Sequence, residues 1–140
     1  MNLTTIFANK PLQITLVVVG LVVAIYWYGK KAGDDKKKFD PELPNSGSGI
    51  PQGWDPMPRV RRLHEVMAGV FTPSLSKEAE WRMNLALTND QLTAVYGAFN
   101  RAYCTSNDET LTTWIDDEFG APFNSAKPAL LNRLRSLNLN

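Results

Sequence analysis

Few side chains in this sequence could do chemistry. His64 is the single histidine and Cys104 the single cysteine. That excludes a His-rich metal site, an intramolecular disulfide and a thiolate zinc cluster. His64 falls beside the apolar stripe of a helical segment, where a packed boundary imidazole is the expectation; a catalytic base would need a partner within hydrogen-bond reach. Cys104 closes another segment and reads as a small packed residue, with a nucleophile or an intermolecular disulfide as the alternatives. Arg59, Arg61 and Arg62 form a basic edge, either solvated or in contact with phosphate or lipid. Trp81 and Trp114 read as core or interface anchors. No phosphate-binding glycine loop, zinc spacing or nucleophile arrangement is recognisable, so a non-enzymatic chain without a cofactor is expected. Fifteen basic residues against fourteen acidic ones give no electrostatic basis for binding nucleic acid.

The elements that hold these residues differ along the chain. Residues 1–11 read as a short tail. Residues 12–28 hold a run from Ile14 to Ile25 without charge, closed by Tyr26, Trp27 and Tyr28 and followed by Lys30 and Lys31. Seventeen helical residues span roughly 25 Å, and interfacial aromatics and snorkelling lysines extend that toward a ~30 Å hydrocarbon core. The run therefore predicts a single transmembrane helix, its aromatic and lysine residues at the membrane interface. A cleaved signal peptide is the alternative, disfavoured by bulky aromatics where small residues should stand. The lysines C-terminal to the run place the following domain on the cytoplasmic or an equivalent face. Lys36, Lys37 and Lys38 are candidate contacts for anionic headgroups.

Residues 29–55 read as a flexible linker, lysine-rich and then rich in proline, glycine and serine. Trp54 is the exception, an aromatic that should dock on the domain or on a partner. Residues 56–140 predict an all-α domain of five helices. Asp55 and Pro56 open the first, whose Val60, Leu63, Met67 and Val70 share a face. The second starts near Ser76, with Ala79, Met83 and Ala86 as its inner stripe and Trp81 and Leu85 beside it. Thr88 to Gln91 form a capping box for the third, which carries Leu92, Val95, Tyr96, Phe99, Ala102 and Tyr103. Ser106 to Glu109 form another for the fourth, with Leu111, Trp114, Ile115 and Phe119, ending at Gly120. The fifth runs from about Ser125, lined by Leu130, Leu134 and Leu137. Its acidic and basic side chains cancel.

Met67-Ala68-Gly69-Val70-Phe71-Thr72 resembles the first interhelical loop of an annexin repeat. Thr110 to Phe119 is similar to that family's fourth helix, with Glu118 at its acidic position. The resemblance covers about residues 57–137. It implies a compact five-helix domain that binds calcium and phospholipid, with Gly69, Thr72 and Glu118 as candidate ligands. Phe71 in place of a glycine, and Pro73 after it, depart from the pattern and argue against a metal. An anchor, tether and small helical head also resemble the small membrane proteins of icosahedral bacteriophages with an internal lipid vesicle. The expected function is a single-pass structural or adaptor protein linking such a membrane to a protein shell. Its expected partners are a lipid bilayer and a shell component, an assembly component or further copies of itself. The alternative is an anchored, annexin-like module binding calcium and phospholipid.

Overall fold

A computed structural model describes residues 10–69, 72–106, 109–119 and 125–140, with backbone alone at 10–16 and 34. Among the described residues there are six helices and no strand: α1 (Lys10–Phe39), α2 (Met57–Ala68), α3 (Ser74–Leu85), α4 (Asn89–Tyr103), α5 (Leu111–Asp117) and α6 (Ala126–Ser136). The chain divides between Asp35 and Lys36 into two compact units.

Most of α1 makes up the first unit. Its residues Val17, Val18, Val19, Leu21, Val22, Val23, Ile25, Tyr26, Trp27 and Tyr28 are between 50% and 83% exposed. Successive helical residues are rotated by about 100°, so this run is apolar around the whole circumference. Among the described residues no helix is long and apolar enough to cross a membrane. The apolar side chains described run from Val17 to Tyr28, a rise of about 18 Å against a ~30 Å hydrocarbon core. Beyond them α1 turns to glycine, lysine and aspartate. The expected transmembrane anchor is corrected on this finding. The side chains of residues 12–16 and the tail 1–9 lie outside the described residues.

In the second unit α2 packs on α3 and α4, α3 on α6, and α5 on α4 and α6. The core joins Val60, Leu63, Val66 and Met67 of α2 to Trp81 of α3. Leu92, Val95, Tyr96 and Phe99 of α4, Leu111 and Ile115 of α5, and Leu130, Leu131 and Leu134 of α6 complete it. The stripes expected for α2, α4 and α6 are thus largely buried, except that Tyr103 and Leu137 are only partly buried, Ala102 is exposed and Val70 lies outside the described residues. Helix starts follow local chemistry. The Thr88 hydroxyl accepts the Gln91 N–H at 3.2 Å and the Gln91 side chain accepts the Thr88 N–H at 3.0 Å, as the capping-box pattern predicts. The Asp55 carboxylate accepts the Met57 N–H at 2.9 Å, but Pro56 rather than Asp55 stands at the N-cap and the helix begins at Met57, one residue later than expected. The second capping box is formed by Thr110 and Thr113, not Ser106 and Glu109. Asn107, Asp108 and Gly120 lie outside the described residues.

α3 is a correction. Ala79, Met83 and Ala86 are exposed, and the buried face holds Lys77, Glu80, Trp81 and Asn84. Their spacing is helical, but three of the four are polar, so the apolar pattern points to the wrong side. The partners make this burial possible. Lys77 is bonded to the Glu118 carboxylate. Glu80 is held by Arg62 at 3.2 Å and lies 3.8 Å from Arg59. The Asn84 amide donates to the Glu80 carbonyl at 2.9 Å. Phe119, placed on the inner face of the fourth helix by its spacing, is 90% exposed, because α5 ends at Asp117.

The expected flexible linker is fastened to the head from Lys38 onward. Lys38 is 8% exposed, and its ammonium donates to the Ser106 carbonyl. Asn100, fully buried, donates to the Lys38 carbonyl at 2.9 Å, and Arg101 donates to the Phe39 carbonyl. Further on, the buried Asp90 carboxylate accepts the N–H groups of Asn45 at 2.7 Å and Gly49 at 2.8 Å. Thr88 donates to the Gly49 carbonyl at 2.8 Å. Two glycines permit this approach. A Cβ on Gly97 would stand 2.8 Å from Pro41 Cδ, and one on Gly49 would stand 2.9 Å from Thr88 Oγ1. Trp54 is partly buried against the core. Proline and glycine removed regular structure here, but specific polar partners still fix the path.

Candidate functional site

The end of α2, the start of α5 and the loops beside them surround an open depression of about 390 Å³. Met67, Ala68, Glu109, Thr113, Trp114, Asp117 and Glu118 line it. α2 brings the buried Met67 and the exposed Ala68, and the Thr110–Thr113 capping box sets where α5 begins. Behind the depression lies an aromatic cluster. His64 stacks on Tyr103 with ring centres 3.8 Å apart and planes 8° apart. Phe99 meets Trp114 edge to face at 5.5 Å.

Two of the three carboxylates here, Glu109 and Glu118, are already engaged, and Asp117 is exposed. Glu109 accepts the N–H groups of Thr105 at 3.2 Å and Ser106 at 3.4 Å. These bonds, Ser106 contributing most, hold its carboxyl below the usual range. Glu118 is bonded to Lys77, so the residue proposed as a calcium ligand meets an ammonium instead. Thr72 donates its backbone N–H to the Gly69 carbonyl at 3.3 Å, and neither residue is among those lining the depression. Among the described residues no group of three or more histidine, cysteine, aspartate or glutamate side chains could hold a metal ion. Phe71 lies outside them.

Nucleophilic chemistry finds no support in this geometry. The Cys104 thiol is buried, donates to Asn100 Oδ1 at 3.5 Å, and is pushed up to about 11 by that burial. A thiol so raised is almost wholly protonated near neutrality, and the thiolate is the reactive form. His64 is packed against Tyr103 and Trp114.

The other residues singled out by sequence fall into two groups. Tyr26, Trp27, Tyr28, Lys30, Lys31, Lys36, Lys37 and Arg61 are exposed. Lys38 is buried in the head, and Trp54 is partly buried against its core. The basic edge is partly neutralised, since Arg62 pairs with Glu65 at 3.1 Å and with Glu80. Those bonds, Glu65 first, raise the guanidinium pKa further. Arg59 donates to the Met83 sulfur at 3.0 Å. Asp90 and Asn100 organise the head more than any residue predicted to be functional. Asp90 announced itself only as the acidic residue of a capping sequence, and nothing in the sequence distinguished Asn100 from the other polar residues of its helix.

No family model, curated protein or solved structure matches the chain. The expected kinship with annexin repeats and with bacteriophage membrane proteins, joined to an anchor that the described residues do not provide, is corrected accordingly.

Proposed function

We propose that this chain is a non-enzymatic structural or adaptor protein, in which α1 carries the attachment surface and the helical head is the part presented to other components. The single observation that carries the reading is the run Val17 to Tyr28, exposed and apolar on every side of its helix. Water is a poor environment for such a surface, at about 25 cal/mol per Å² of apolar area left uncovered. A helix apolar all round is ordinarily enclosed on all sides. The partners proposed for it are an apolar protein surface, from a shell or assembly component or from further copies of the chain, and a lipid bilayer. In the head, the engaged Glu109 and Glu118 carboxylates, the raised thiol and the stacked imidazole support a non-catalytic reading.

The test is sedimentation of the full chain without detergent, alone and with lipid vesicles, beside the variant Val18→Glu, Val22→Glu, Ile25→Glu. The native chain should self-associate or move with the vesicles, and the variant should run as a monomer. A native chain that stays monomeric under both conditions would sink the proposal.

A further inference from the structure

We infer that residues 36–50 are a mechanical clamp, through which a pull arriving along α1 enters α4 directly instead of extending slack backbone. The inference rests on the proposed attachment through α1 and adds how residues 36–50 are fixed to α4 within the second unit. The bonds fall in two groups along one helix. Near the C-terminal part of α4, Asn100 holds the Lys38 carbonyl at 2.9 Å and Arg101 holds the Phe39 carbonyl. Lys38 also reaches the Ser106 carbonyl beyond the helix end. At the N-terminus of α4, Asp90 holds Asn45 and Gly49 and Thr88 holds the Gly49 carbonyl.

Asn100 ties this clamp to the rest of the head. Its Oδ1 accepts the Leu111 N–H at 2.8 Å, so one buried amide fixes the end of α1 and the first residue of α5. Between the two groups Gly97 lets Pro41 lie against α4, where any side chain would collide. A tether meant to give reach would need none of this. Backbone carbonyls and N–H groups along this segment are held by side chains of a core helix and of its N-cap, the Lys38 carbonyl among them buried, so freeing the segment breaks these bonds together.

Optical-tweezer extension of the full chain tests this, with handles at Gly33→Cys and Asn140→Cys; the buried Cys104 does not compete for labelling. The expected trace shows no extension before the head yields, then a rupture that includes residues 36–55. A slack segment would instead give roughly 70 Å of low-force extension first, at ~3.5 Å per residue, and that result overturns the clamp. The variant Gly97→Ala with Arg101→Ala places a methyl 2.8 Å from Pro41 Cδ and deletes the bond to Phe39, while leaving the apolar core untouched. It should introduce early extension ahead of an unchanged later rupture. A variant trace identical to the native one also overturns the clamp. No partner or vesicle is present, so the outcome is independent of whether α1 attaches anything.

Discussion

The stretches Val17–Tyr28 and Lys38–Gly49 have opposite compositions and opposite surroundings. The first is apolar and exposed on every side. The second is rich in proline, glycine and serine, yet its backbone is bonded to Asp90, Asn100, Arg101 and Thr88. Apolar composition favours burial but supplies no partner, whereas a few well-placed polar side chains can fix a segment whose larger apolar side chains are only Phe39 and Leu43. The contrast separates a surface that needs a cover from one that already has it.

The largest expected effect sets a tryptophan from each unit against the other. Trp81 is fully buried and Trp27 is 71% exposed. Trp81→Ala should lower the unfolding free energy of the head by about 3–5 kcal/mol, and Trp27→Ala by less than about 0.5 kcal/mol. Equal shifts in urea midpoint would erase the distinction.

The clamp is probed next. Asn100→Leu leaves the Lys38 carbonyl and the Leu111 N–H without their partner and should cost about 2–4 kcal/mol. Lys36→Ala, at an exposed position of the same segment, should stay within about 0.5 kcal/mol. Equal losses would show the segment to be uniformly solvated. Gly49→Ala forces a methyl within 2.9 Å of Thr88 Oγ1 and should cost about 1–2 kcal/mol. Hydrogen exchange at Asn45 and Gly49 should quicken in that variant, and unchanged exchange would contradict the contact.

Much of the head could be read from sequence because its helices α2, α4 and α6 bury apolar residues at helical spacing. Leu63, Val95, Phe99 and Leu134 are where the pattern puts them. α3 was illegible on the same rule, because its buried face is mostly polar and Lys77 and Glu80 are buried by partners that lie far away in the chain. The fixed path of Lys38–Gly49 was hidden for the same reason, since nothing local to Asn45 or Gly49 names Asp90. The exposed segment was legible as an apolar helix, but the function its partners would define is not written in it.

A smaller effect follows from pH. Burial raises the Cys104 thiol from its ordinary 9.0 to about 11. The folded state therefore keeps a proton that the unfolded chain releases, and its contribution to stability is whole below pH 9.0 and lost as pH rises through about 11. Tyr96, raised by burial and donating to the Asn140 carbonyl at 2.7 Å, acts in the same direction. Urea midpoints should fall between about pH 9 and about pH 11, and less steeply in Cys104→Ala. A slope unchanged by that substitution would place the thiol in contact with water.

The central claim is that the run from Val17 to Tyr28 is covered when the protein is in its working state, and thiol labelling at Val22→Cys in the full chain tests it most directly. Cys104 is buried and stays silent, and Arg61→Cys provides an exposed site on the head for comparison. In the native, detergent-free preparation Val22→Cys should label at least tenfold more slowly than Arg61→Cys, and catch up once the cover is dispersed by detergent or denaturant, as a roughly 1.4 kcal/mol or greater barrier to exposure requires. Labelling of Val22→Cys as fast as that of Arg61→Cys would contradict the account.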